Sequence, residues 1–196
     1  GAVVAEGPSR ILDEWSSKAA LEAAGVPFPD RHMVGRGDVA MAAASIGFPM
    51  VLKAVSPLLL HKNKVGAVAV GLADQAALAG ALVRMEKALS VAGTDPDGFL
   101  VEKMVPGATA EIIVGVKASR IYGQALVIGA GGVDVEQLKD SAVLFLPATR
   151  AMIEAAIAGL RTAAGLSALA RRRLADIAEA VAAYAVTNRQ SLVSLD

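Results

Sequence analysis

Cysteine is absent from the 196 residues. That excludes disulfides, zinc–thiolate sites and a thiol nucleophile, and it fits a reducing compartment. No apolar run approaches the ~20 residues that a membrane-spanning helix needs, so no membrane partner is expected. A surplus of either charge is missing as well: Lys plus Arg is 19 and Asp plus Glu is 19. Nucleic acid and anionic membranes are therefore not expected as main partners. Aromatic residues make up only 4%, and much of the 55% hydrophobic fraction is alanine. The opening GAVVAEGPSR has no charged head followed by an apolar block, so it does not read as a signal peptide. Two common nucleotide fingerprints are also lacking, the GxxxxGK loop and a GxGxxG after a strand. The expectation is a soluble, cytoplasmic protein whose length allows a sizeable core, in one domain or two small lobes.

What is present is a regular alternation of element signals. Residues 1–9 read as an arm or linker. Ile11, Leu12, Trp15, Ala19 and Ala23 recur at helical spacing over 10–24, and Gly25, Pro27 and Pro29 stop that helix. A short strand is expected over 32–34 and a helix over 38–46, with Asp38 as its cap. Strands follow over 50–55 and 65–72, then a helix over 74–91 capped by Asp74. Further strands are expected over 99–105, 111–116 and 122–128, and one in the AVLFL stretch. Helices over 149–158 and 169–186 precede a last strand from 191. This mixed order predicts an α+β chain of two lobes with a cleft between them.

The stretch with most chemical content is GFPMVLKAVSPLLLHKNKVGAV. Lys53 stands in an apolar strand, where an ammonium is costly unless it meets an anion. Val51, Lys53 and Val55 would share one face, which is unusual for a solvent face. The alternative is an edge-strand lysine reaching water. The following loop carries His61, Lys62 and Lys64, and a basic loop with a histidine points to phosphate. His61 alone is more often a bystander; near neutral pH it is also a usable nucleophile or proton shuttle. Glu102 and Glu111 lie on candidate strands and suit ribose hydroxyls or a cation, or else an ordinary polar face. Gly129 to Gly132 could turn backbone N–H groups towards an anion, with Gly131 and Gly132 as the candidates. Glu136, Lys139 and Asp140 follow at helical spacing and would serve a metal or face solvent. Arg171 to Arg173 read as a solvated helix face.

Taken together, these stretches resemble the ATP-grasp domain of the NDP-forming acyl-CoA synthetases, the ADP-forming acetyl-CoA synthetases among them. The strand lysine, Ser-Pro and His-Lys of the first stretch, then VEKMVPGATAEIIVG, then GAGGVDVEQLKD with LFLPAT, occur in the family's order. The opening helix ILDEWSSKAALEAAGVPFP fits as well. The resemblance implies an ATP-grasp fold over 10–196, with a smaller lobe over about 26–102 and the remainder from 10–25 and 103–196. It implies that Lys53 and Lys62 meet ATP phosphates and that Glu102, Met104 and Glu111 line adenine and ribose. Gly131 and Gly132 would lie by the nucleotide. His61 would carry a phosphoryl group between the nucleotide and a second histidine elsewhere, with Lys53 and His61 as the catalytic residues. ATP or ADP and Mg²⁺ are the implied cofactors, with no metal ligand assigned. CoA and a carboxylic acid would be handled by CoA-binding and ligase domains or a partner subunit. The family's metal-binding strand should begin where Asp196 stands, so the domain is expected to be C-terminally incomplete and inactive alone. Departures are Asn63-Lys64 for Ser-Asp, Ala67 for glycine, Leu144 for arginine and Thr162-Ala163 for Arg-Gly. The Asn63-Lys64, Ala67 and Leu144 departures favour an alternative, a catalytically degenerate regulatory module of a protein lysine acetyltransferase.

Overall fold

The computed structural model describes residues 14–56, 66–119, 121–132, 139–192 and 194–195. Two antiparallel four-stranded sheets organise the chain. The first is made of β1 (Arg31–Val34), β2 (Met50–Val55), β3 (Val68–Leu72) and β4 (Gly98–Lys103), in the order β1-β4-β2-β3. The second is made of β5 (Ile112–Ser119), β6 (Gly123–Ala130), β7 (Ser141–Phe145) and β8 (Ser194–Leu195), in the order β7-β6-β5-β8. The helices are α1 (Glu14–Ala23), α2 (Val39–Ile46), α3 (Gln75–Val91), α4 (Arg150–Gly159) and α5 (Ala168–Thr187). The chain divides into two compact units. Residues 14–19 join Phe28–Gly107, and Ala20–Pro27 joins the residues from Ala108 on.

In the first unit the period of two sorts β2 into two faces. Met50, Leu52 and Ala54 are fully buried and join Phe99 and Val101 of β4 against Val39 and Ala43 of α2 and Leu78, Met85 and Leu89 of α3. Full burial of one such large side chain contributes about 1.5–3 kcal/mol, so this face holds the unit together. The register pairs Val51 with Glu102 and Lys53 with Leu100, and Glu102 also with Arg31. Val51, Lys53, Leu100, Glu102 and Arg31 therefore share the opposite face. Lys53 is on an inner strand, not an edge strand.

In the second unit, Val116, Leu126 and Ile128 of the sheet are buried, as are Ile153 and Ile157 of α4. So are Leu174, Ala175, Ala178, Val181, Ala182 and Ala185, the inner stripe of α5. The other sheet face leaves Val143 57% and Phe145 58% exposed.

Helix starts follow the capping chemistry in three places. Asp74 accepts from the Ala77 N–H at 2.8 Å, Thr149 from Met152 and Ser167 from Ala170. Asp38 does not cap α2. It closes a short 3₁₀ turn with φ −100° and ψ −2°, and makes no side-chain cap bond. A capping residue needs an extended backbone, as Asp74 has.

Strand ends also differ from expectation. β4 stops at Lys103, β5 runs on to Ser119, and β6 continues through Gly129 to Ala130. Gly129 is a packing glycine inside a strand. A Cβ there would lie 2.8 Å from both the Asp140 carbonyl oxygen and Ser141 Cβ, so only glycine lets β7 approach.

Candidate functional site

The polar face of the first sheet is met by the first turns of α1. Glu14 and Lys18 stand four residues apart and so on one side of that helix, 3.0 Å from each other. Glu14 Oε1 accepts from Lys53 Nζ at 2.6 Å. Glu102 Oε1 accepts from Lys53 Nζ at 3.3 Å, and its Oε2 accepts from Lys18. Two ammoniums and two carboxylates are thus linked in a quartet, with side chains only 11–22% exposed. Burial pulls the Lys53 pKa down. The hydrogen bond and charge of Glu14, with the charge of Glu102, outweigh it, so the pKa lies above the ordinary lysine value. Lys53 is a fixed cation here, and its strand holds it in place.

A layer of cation–π contacts flanks the quartet. The Arg31 guanidinium lies 5.5 Å from the Trp15 ring centroid and 5.0 Å from that of Phe28, and Lys18 Nζ is 5.9 Å from Phe28. At the end of β4 the backbone is pinned to neighbouring loops: the Lys103 N–H donates to the Asp30 carbonyl and the Met104 N–H to that of Pro49. Lys103 Nζ donates to the Phe48 carbonyl at 3.0 Å. Met104 is half-buried.

Glu111, Gly131 and Gly132 come together in the second unit. Glu111 is the residue before β5, not its first residue. Its carbonyl accepts from the Gly131 N–H at 2.7 Å, and the Ala130 N–H donates to Asp140. The Ala130 and Gly131 N–H groups are thus used within the protein. The Glu111 side chain lies over both glycines. A Cβ on Gly131 would be 3.0 Å from Glu111 Cγ, and one on Gly132 would be 2.9 Å from Glu111 Oε2. The glycines make room for a carboxylate.

Asp140 is buried and does not face solvent. Its carboxylate accepts from the Thr162 hydroxyl, from the Thr162 N–H at 2.7 Å and from the Arg161 N–H at 3.1 Å. Arg171 also departs from the solvated-face reading: its Nη2 donates to the Ala164 carbonyl at 2.7 Å, while Arg172 and Arg173 are exposed.

The structure therefore joins Lys53 to Glu102, and Glu111 to Gly131 and Gly132. His61, Lys62 and Glu136 lie outside the described residues. Among the described residues, no three His, Cys, Asp or Glu side chains are grouped to hold a metal ion, so no ligand set for Mg²⁺ is assigned. None of the described helices is long and apolar enough to cross a membrane. Glu14 and Lys18 escaped the sequence reading. The signal was their spacing of four with opposite charge, beside an apolar helical stripe.

Residues 2–190 match the family model described as ATP-grasp domain. Over 169 residues the chain is 30% identical to the 4-hydroxybutyrate–CoA ligase (ADP-forming) of Nitrosopumilus maritimus, covering 85% of this chain and 24% of that protein. It is 40% identical over 117 residues to the acetate–CoA ligase (ADP-forming) I of Archaeoglobus fulgidus, covering 55% and 16%. With the acetate–CoA ligase (ADP-forming) I subunit beta of Pyrococcus furiosus it shares 31% over 149 residues, covering 74% and 64%. The chain thus spans a quarter or less of the first two relatives and under two thirds of the third. Among solved structures it is similar in fold to the dinucleotide forming acetyl-coenzyme A synthetase 1 of Ca. Korarchaeum cryptofilum, in complex with coenzyme A, Ca-AMPCP and HgCl+. The TM-score is 0.84 at 24% identity, covering 93% of this chain and 83% of that one.

Proposed function

The chain belongs to the ATP-grasp family, and we propose that it is the nucleotide-binding, phosphoryl-transferring domain of an acid–thiol ligase. That ligase would form acyl-CoA from a carboxylic acid, CoA and ATP, with release of ADP and phosphate. The observation that carries this reading is Lys53: a charged, mostly buried ammonium on an inner strand, held by side chains rather than left to solvent. Such a group suits a phosphate oxygen, because catalysis of phosphoryl transfer is largely positioning and charge neutralisation. Lys53 and Lys62 would contact the phosphates, and Glu102, Met104 and Glu111 the adenosine. Gly131 and Gly132 would lie by the nucleotide beneath Glu111. His61 would accept the phosphoryl group on a ring nitrogen as ADP leaves, and pass it to a second histidine elsewhere. Mg²⁺ is expected with the nucleotide, where it would neutralise phosphate charge. A solved structure of the same fold, the dinucleotide forming acetyl-coenzyme A synthetase 1 of Ca. Korarchaeum cryptofilum, is a complex with coenzyme A and Mg-AMPPCP, its phosphohistidine segment pointing towards the nucleotide binding site. The acid and CoA would be bound by other domains or a partner subunit, as the beta-subunit names of relatives suggest. We place the protein in the cytoplasm, and the lobe boundary near residues 26 and 102.

The test is incubation of the full-length protein with γ-labelled ATP. Acid-labile protein label is expected, and His61→Ala should lose the label. Lys53→Met should weaken ADP binding about 10- to 100-fold, the worth of a hydrogen bond to a charged group. Unchanged labelling in His61→Ala would remove that residue from the reaction.

One observation favours the alternative, a degenerate module of a protein lysine acetyltransferase. Leu144, where the resemblance leads to arginine, pairs with Leu126 and is half-buried, so that position supplies no cation. Nucleotide binding without acid-dependent ADP release would support this second reading.

A further inference from the structure

The quartet is neutral as a unit, and that sets a problem for any phosphate. Lys53 reaches two carboxylates, and an anion arriving at its ammonium meets both of them. At these distances each charge matters to a phosphate at Lys53, because the side chains are shielded from water. We propose that Glu14 and Lys18 are positioning residues that tune the phosphate affinity of Lys53 in opposite directions. This rests on the phosphate role given to Lys53 above.

Glu14 is the competitor. Its Oε1 makes the shorter of the two carboxylate contacts to Lys53, 2.6 Å against 3.3 Å from Glu102 Oε1. A phosphate oxygen that takes a hydrogen bond from Lys53 lies beside this carboxylate and is repelled by its charge. Lys18 is the keeper. Its single ammonium touches both carboxylates, Glu14 Oε1 at 3.0 Å and Glu102 Oε2. When Lys53 turns to a phosphate, Lys18 still pairs both anions. Neither is then left buried and unpaired beside a triphosphate, an outcome that costs far more than a lost contact. The position of Lys18 on α1 is fixed by its spacing from Glu14 and by the Phe28 ring beneath it. The opening helix thus belongs to the phosphate site through its charges.

The experiment measures ADP and adenosine affinity by calorimetry, with the full-length protein and its variants. Glu14→Gln turns the quartet from neutral to one net positive charge, and ADP should bind about three- to tenfold tighter. Lys18→Met leaves one net negative charge, and ADP should bind weaker by a similar factor, about three- to tenfold. Lys18→Arg should restore most of what Lys18→Met loses, and the Glu14→Gln/Lys18→Met pair should return close to the starting affinity. Adenosine, which carries no phosphate, should be indifferent to all of them. A merely structural ion pair would move both single variants the same way, and that result overturns the proposal. Equal shifts for adenosine and ADP overturn it too. If Lys18→Met does not fold, Glu14→Gln and Lys18→Arg still decide: unchanged or weaker ADP binding in Glu14→Gln is fatal. Equal ADP binding by the unaltered protein and Lys53→Met sinks the phosphate role of Lys53 itself, a separate outcome that removes this proposal's footing.

Discussion

Asp140 holds the turn after α4 to the start of β7 by accepting from two residues more than twenty positions ahead of it. The Thr162 hydroxyl and N–H stabilise its carboxylate, burial opposes this, and the Arg161 N–H and charge add to the lowering. Its pKa falls from 3.8 to about 2. The folded state thus favours the charged form. That contribution is complete above the ordinary aspartate value of about 3.9 and is lost as pH falls through about 2. Asp140→Asn should lower the urea midpoint at pH 7, and the gap from the unaltered protein should narrow between pH 4 and 2. A gap independent of pH would assign the loss to shape, not charge. Gly129→Ala tests the same neighbourhood from the β6 side. Its Cβ would press on backbone and Cβ atoms that cannot swing away, so about 1–3 kcal/mol of overpacking strain is expected in urea unfolding. Lys53 was legible in the sequence because a charge amid β-branched and aliphatic neighbours is an anomaly that physics must resolve. Asp140 was visible only as a residue to serve a metal or face solvent. Its donors Arg161 and Thr162 are distant in sequence, and no local pattern links them to it.

At the scale of elements, caps and stripes can be read locally and therefore were largely legible. Asp74 illustrates this: an extended aspartate three residues before the N–H it satisfies. Asp74→Ala should cost about 1 kcal/mol in urea unfolding, the ordinary worth of a cap. Asp38 had the same residue type but a helical backbone, and a sequence does not display its own φ and ψ. The long helix α5 presents an inner stripe rich in alanine, with Ala175, Ala178, Ala182 and Ala185 all buried. Small side chains let a helix sit close to its neighbours, and that closeness leaves no room for extra methylenes. Ala178→Leu should cost about 1–3 kcal/mol, while Ala183→Leu on the exposed side should stay within about 0.5 kcal/mol. Comparable losses at both positions would mean that the stripe is not tightly packed. The strand ends were less legible, since glycine reads as a terminator. Whether it ends a strand or admits a neighbour depends on what lies opposite.

For the molecule as a whole, the order of helices and strands followed from periodicity, but the order of strands within each sheet did not. Alternation tells which face a side chain takes; it says nothing about which strand lies alongside. β1 lies beside β4 rather than β2, and β8 beside β5, through pairings separated by many residues. Charge was fully countable, and it has a consequence for solution behaviour. The chain is neutral at pH 7, with a pI near 7.0. Its two histidines are the only side chains whose ordinary pKa values fall between those of the carboxylates and the amines, so little charge is gained or lost from about pH 6 to about pH 9. Self-repulsion stays weak across that whole range. Meanwhile β7 is an edge strand with Val143 and Phe145 more than half exposed, the kind of surface along which copies associate. The chain on its own should therefore show a broad solubility minimum from about pH 6 to 9, read as the polyethylene glycol concentration at precipitation. Val143→Lys with Phe145→Lys should lift that minimum by adding two charges and removing two apolar side chains. A narrow minimum confined to pH 7 would contradict the charge argument. A broad one that the double variant leaves in place would show that copies do not associate through β7.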